Sequence, residues 1–141
     1  MRSILGAAIE EEADVTIVDM EAGLEHLSRS GGTLAYADVL LAIMEPTRKS
    51  IITAARTKAL AEELGIPRTV GLGNKARLPE DRTFYEEVCG EYGVPLAGVI
   101  PYDLGVVDAD RSGTIMASNQ GEAVREEISR VLDFLDAVPV G

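Results

Sequence analysis

Short apolar runs alternating with longer helical repeats constrain this chain more than any other feature. Residues 15–18, 37–44, 69–72 and 95–100 are apolar runs of strand length, each closed by a polar or turn-forming residue. After the second, third and fourth runs the apolar residues recur every three or four positions. Over 48–64 the series is Ile51, Ile52, Ala55, Ala59, Leu60 and Leu64, which is the period of one helix face. Gly65 and then Pro67 follow it, the order in which helices stop. Over 80–92, Phe84, Val88 and Tyr92 share a stripe beside Tyr85 and Cys89. Over 121–137, Val124, Ile128, Val131, Leu132 and Leu135 are expected to face inward while the glutamates and arginines stay wet. Strands joined through helices of this length pair in parallel, so the expected fold is α/β, a parallel sheet with helices on both faces. Residues 3–12, with Ile4, Leu5, Ala8 and Ile9 on one helical side, read as the end of a helix whose start is absent. Residues 1–141 are therefore expected to form a single partial domain, incomplete at the N-terminus.

The first run ends in Asp19, and Gly23 follows four positions later in D-M-E-A-G. A carboxylate at a strand end holds Mg²⁺ in nucleotide-hydrolysing α/β folds, and a nearby glycine lets backbone approach a phosphate. The same pattern also occurs at ordinary βα turns. At the second run Glu45 and Pro46 stop the strand, and Thr47 with Ser50 is placed to cap the helix that follows. At the third, Gly73-Asn74-Lys75 reads as a turn.

Charge and cysteine content narrow the functional classes. Acidic side chains outnumber basic ones by 24 to 13, a net charge of −11, so nucleic acid and anionic membrane surfaces are poor partners. One cysteine forms no internal disulfide, and no apolar run reaches membrane-spanning length, which points to a reducing cytoplasm. Cys89 falls on a core stripe and reads as a small hydrophobe, while His26 stands alone near Gly31 and Gly32. Nickel binding within one chain is not expected from such a donor set.

Taken together, D-M-E-A-G, E-P-T-R-K-S, G-N-K and I-P-Y-D resemble the deviant-Walker P-loop ATPases that include MinD, ParA and the nitrogenase iron protein. The wording D-M-E-A-G-L-E-H-L and E-P-T-R-K-S-I is most similar to the CooC-type accessory proteins, which insert nickel into carbon monoxide dehydrogenase. The resemblance runs from about Leu5 to the final helix and implies a three-layer, Rossmann-type P-loop NTPase fold. It implies ATP or ADP with Mg²⁺ as cofactor, a dimer, and carbon monoxide dehydrogenase or a similar nickel enzyme as client. By the same resemblance Asp19 would be the magnesium-side carboxylate, and Glu21 to Gly23 the switch that senses the terminal phosphate. Asn74 with Lys75 would read the adenine edge, and Pro101, Tyr102 and Asp103 would wrap base and ribose. Glu45, Pro46 and Arg48 would pack near the nucleotide or a second subunit.

The departures from the family are specific. The 141 residues contain no G-K-G-G-V-G-K-T-type loop and no C-x-C pair, the parts that cradle phosphates and, in a CooC dimer, bind metal. The sequence thus leaves two readings: part of an ATP-dependent nickel-insertion factor, or a truncated paralogue acting as a non-hydrolytic binding module. A sheet missing the strand ahead of that loop is expected to self-associate.

Overall fold

Three strands lie side by side in the computed structural model, which describes residues 15–20, 37–115 and 121–137. They are β1 (Leu40–Met44), β2 (Thr69–Ala76) and β3 (Leu96–Pro101), in the spatial order β1-β2-β3 with both pairs parallel. Each crossover is helical: α1 (Arg48–Glu63) joins β1 to β2, and α2 (Pro79–Tyr92) joins β2 to β3. Two more helices follow, α3 (Leu104–Ser112) and α4 (Glu122–Ala137).

Local chemistry sets the helix ends. Thr47 caps α1 by accepting the Ser50 N–H at 3.1 Å, and Ser50 Oγ reciprocally accepts the Glu45 N–H at 2.9 Å. Gly65, at φ +85°, follows the last turn in the left-handed conformation that costs glycine least. At α2, Pro79 occupies the first turn and the Asp81 carboxylate accepts the Arg77 and Leu78 N–H groups at 2.8 and 3.0 Å. Those two backbone donors hold the Asp81 carboxyl below its ordinary range, the Leu78 bond first.

Strand alternation then assigns the layers. Gly71 and Gly73 share one face of β2, where α1 and α2 pack: Met44, Ile51, Ala54, Tyr85, Val88, Cys89, Val94 and Val99 form the main buried cluster. A Cβ on Gly71 would come within 2.6 Å of the Met44 methyl and 2.9 Å of Val94, so a larger residue there would make these side chains shift. Leu72 points to the opposite face and pairs in register with Gly98, where a Cβ would meet Val131 of α4 at 2.8 Å. Helices therefore cover both faces, and the architecture is the expected parallel α/β arrangement.

Three expectations are corrected. Residues 15–18, expected as a strand, form none, and Val15 and Ile17 are 66% and 86% exposed. A strand exists only through its ladder, and among the described residues no strand lies alongside this segment. The turn expected at Gly73-Asn74-Lys75 is instead the continuation of β2, which runs on to Ala76 because the Tyr102 N–H pairs with the Ala76 carbonyl at 2.8 Å. On α4, Ile128 and Leu132, expected to face inward, are 42% and 47% exposed, while Glu127, expected to stay wet, is 5% exposed.

Candidate functional site

Parallel strands deliver their carboxyl ends to one edge of the sheet, where α/β folds place ligands. Glu45 follows directly on β1, Asn74 and Lys75 lie among the last three residues of β2, and Pro101 closes β3 with Tyr102 and Asp103 behind it. The topology thus brings six of the residues singled out in the sequence to the same edge.

Backbone geometry at the end of β2 is irregular. The β1–β2 register ends at Met44 opposite Gly73, and the β2–β3 register slips between Gly73 and Ala76. Within that slip Lys75 adopts φ 56°, the one positive value at a non-glycine among the described residues. The Tyr85 hydroxyl, reaching over from α2, fills the gap. It lies 2.8 Å from the Asn74 carbonyl and 3.0 Å from the Met44 carbonyl, either of which can take its single proton, and it accepts the Asn74 N–H at 3.2 Å.

Charged groups frame this bulge. Lys75 Nζ bridges to the Glu45 carboxylate at 2.8 Å, and that hydrogen bond with the ammonium charge holds the Glu45 carboxyl below its usual value. Both side chains are more than half exposed, so the pair orients the two strand ends and adds little stability. Arg48, expected beside Glu45, turns instead to Glu91 of α2 at 2.6 Å, and so ties the two helices together. Beyond β2, the Arg77 guanidinium sits 4.2 Å from the centre of the Tyr102 ring, a cation–π stack at the sheet edge. Asp103 caps α3: its Oδ1 accepts the Gly105 and Val106 N–H groups at 2.7 and 3.3 Å. That oxygen is already committed to the helix, where a carboxylate also meets the positive end of the dipole.

Asp19 is exposed, next to Met20, which packs against Ala61 and Ile66, while Glu21, Gly23 and His26 fall outside the described residues. Cys89 is 1% exposed and burial pushes its thiol up, the behaviour of a core residue. Among the described residues no three His, Cys, Asp or Glu side chains stand close enough to hold a metal ion. An open depression does exist between α2, β3 and α4, lined by Arg82, Cys89, Gly98, Glu127 and Arg130, but it flanks β3 rather than the strand ends that carry the candidate residues.

Two residues important to this arrangement carry only faint sequence signals. Tyr85 reads as one more apolar position, although a tyrosine on a buried stripe implies a partner for its hydroxyl. Glu127 lies three residues after Val124 and four before Val131, hence on the inward side of α4. Its Oε1 accepts the Val99 N–H and meets Arg82, both at 3.1 Å, and its Oε2 meets Arg130 at 3.0 Å.

The edge so built has an aromatic ring backed by a guanidinium, backbone amides at a bulge, and a lysine, groups suited to a flat heteroaromatic ring bearing polar edges. No family model matches the chain. It is 33% identical over 135 residues to an uncharacterised ATP-binding protein of Methanocaldococcus jannaschii, covering 96% of this chain and 51% of that protein. It is 34% identical over 113 residues to the carbon monoxide dehydrogenase accessory protein CooC of Rhodospirillum rubrum, covering 80% of this chain and 41% of that one. The chain thus spans about half the length, or less, of these curated relatives. Among solved structures, the MinD cell division protein of Aquifex aeolicus superposes with a TM-score of 0.62 at 18% identity, over 77% of this chain and 48% of MinD. The MinC:MinD complex of the same organism gives 0.64 at 17% identity, over 86% of this chain and 49% of the matched one. At that identity the likeness establishes the P-loop NTPase fold.

Proposed function

The chain belongs, over the stretch they share, with the CooC- and MinD-like ATP-binding proteins, and from this we propose that it forms the base-side part of an ATP site. The observation that carries the proposal is the convergence of Glu45, Asn74-Lys75 and Pro101-Tyr102-Asp103 at one sheet edge, each from a different strand end. In this reading the Tyr102 ring and Pro101 offer a flat apolar surface to adenine. Asn74 and Lys75 supply amide and ammonium donors to its polar edge, and Asp103 faces the ribose. Asp19 would hold Mg²⁺, and Glu21 to Gly23 would respond to the terminal phosphate. Bound ATP with Mg²⁺ supplies the phosphoryl group and the charge that such a switch reads.

The cellular role we assign is that of an accessory factor in nickel insertion into carbon monoxide dehydrogenase, working as a self-associating protein in the cytoplasm. It is supported by the CooC relative. Nickel is cargo in this role, and no ligand for it is assigned here. Titration of a fluorescent ATP analogue tests the base site: Asn74→Ala and Tyr102→Ala should each weaken binding several-fold. Unchanged affinity in both variants removes the proposal.

In this reading the phosphates are held by a glycine-rich, lysine-bearing loop that the 141 residues do not contain. These residues by themselves should therefore hydrolyse ATP no faster than background, and turnover that disappears in Asp19→Ala would refute this expectation.

A further inference from the structure

We infer that Tyr85 is the positioning residue of the base side of this site, acting through the backbone of Asn74; the inference rests on the nucleotide reading above. Strand ladders normally fix where a strand-end residue sits, but here the ladder fails just where it is needed. Pairing with β1 ends at Gly73, and pairing with β3 slips between Gly73 and Ala76. Both the N–H and the carbonyl of Asn74 lie instead within hydrogen-bond distance of the Tyr85 hydroxyl, at 3.2 and 2.8 Å. The same oxygen reaches the Met44 carbonyl at 3.0 Å, so a single hydroxyl spans the ends of β1 and β2.

The ring is as constrained as its hydroxyl. Tyr85 is fully buried, and a Cβ on Gly73 would approach three of its ring carbons to 2.8–2.9 Å. Glycine at 73 thus allows the ring to lie flat over the strand, and the ring carries the hydroxyl to Asn74. Burial pushes the phenol up to about 12, so it remains a proton donor across the range in which proteins work. The left-handed Lys75 follows immediately, which means that the hydroxyl also governs where the Lys75 side chain departs from the sheet. A group that neither touches ligand nor carries charge would then decide how Asn74 and Lys75 meet a base.

Tyr85→Phe tests this, since it keeps the ring and removes only the hydroxyl. Val88→Ala, one turn along the same buried face of α2, serves as a control that loosens the same core cluster while keeping the Tyr85 hydroxyl. Amide hydrogen exchange of the full chain, without nucleotide, is the first measurement. The Asn74 amide should exchange about tenfold faster in Tyr85→Phe than in Val88→Ala, after correction for global stability. Affinity for fluorescent ATP and GTP analogues is the second. Tyr85→Phe should weaken the ATP analogue about tenfold and shrink the ATP-to-GTP preference, while Val88→Ala should leave that ratio alone. Equal Asn74 exchange in the two variants overturns the inference, as does an unchanged ratio in Tyr85→Phe. A wild-type chain that binds neither analogue overturns the nucleotide reading instead, and the exchange comparison still decides whether the hydroxyl holds Asn74.

Discussion

Replacing Glu127 by alanine should destabilise this protein by loosening α4 from β3. The carboxylate is buried between α4 and β3, and it completes three interactions at once: the Val99 N–H and Arg82 on one oxygen, Arg130 on the other. Truncation leaves the Val99 N–H without its acceptor, a loss of about 1–3 kcal/mol. The Arg82 and Arg130 side chains are 50% and 69% exposed, so water screens them and each lost ion pair adds only about 0–1 kcal/mol. The sum is roughly 1–5 kcal/mol. For a chain of 141 residues, an unfolding entropy near 2.1 cal/mol/K per residue converts this to a fall in Tm of about 3–17 °C. Glu127→Gln keeps an oxygen for Val99 and should lose only about 1–2 kcal/mol. Acidification gives an independent check. Burial pushes the Glu127 carboxyl up, but the Val99 N–H and then Arg82 and Arg130 more than offset it, leaving it below the ordinary 4.5. A carboxyl depressed in the folded state stabilises the protein above the unfolded value and loses that contribution as pH falls through the folded one. The wild type should therefore lose Tm below about pH 4.5 more steeply than Glu127→Gln. Thermal melts followed by circular dichroism read both effects. A Glu127→Ala melt within about 2 °C of wild type, or parallel pH profiles, would show that the carboxylate contributes nothing to holding α4 on β3.

Further outcomes follow from the same packing. Gly73→Ala forces a Cβ into the Tyr85 ring and should destabilise by about 1–3 kcal/mol in chemical denaturation; a neutral change would mean that the ring moves freely. Asp103→Ala removes the α3 cap and should cost about 1 kcal/mol, whereas Asp103→Asn should retain most of it, a contrast that separates capping from charge. Among the described residues β1 is an edge of the sheet, with Leu41 39% and Ile43 60% exposed. The chain should accordingly self-associate in sedimentation experiments, and Ile43→Lys should shift it toward monomer. A wild type that stays strictly monomeric at high concentration contradicts that expectation.

Much of this architecture was legible because it is written locally. The recurrence of Ile51, Ala55 and Leu60, the Thr47 and Ser50 pair, and Gly65 before Pro67 each act within a few residues of chain, and α1 begins and ends within a residue of where they put it. The same holds for α2 and α4, whose bounds fall within one residue of the periodic stretches. Parallel order followed from crossover length alone. The strand-end positions of Glu45 and Pro101 followed in turn, since a parallel sheet sends every carboxyl end to one edge.

What escaped the sequence depends on partners distant in the chain. Asn74 and Lys75 have turn-like composition, yet they extend β2 because Tyr102, Tyr85 and Glu45, remote along the chain, supply hydrogen bonds there. Residues 15–18 have strand composition, yet they form none, because a strand needs a neighbour at ladder distance and composition cannot provide one. Glu127 has the chemistry of a surface residue and is buried only because the Val99 N–H and two arginines converge on the spot that α4 covers. Propensity and capping are short-range and so belong to the sequence by itself. The placement of a buried carboxylate or a lone phenol hydroxyl is decided only once the layers have closed around it, because an unmet polar group in the interior costs more than its local preference can repay.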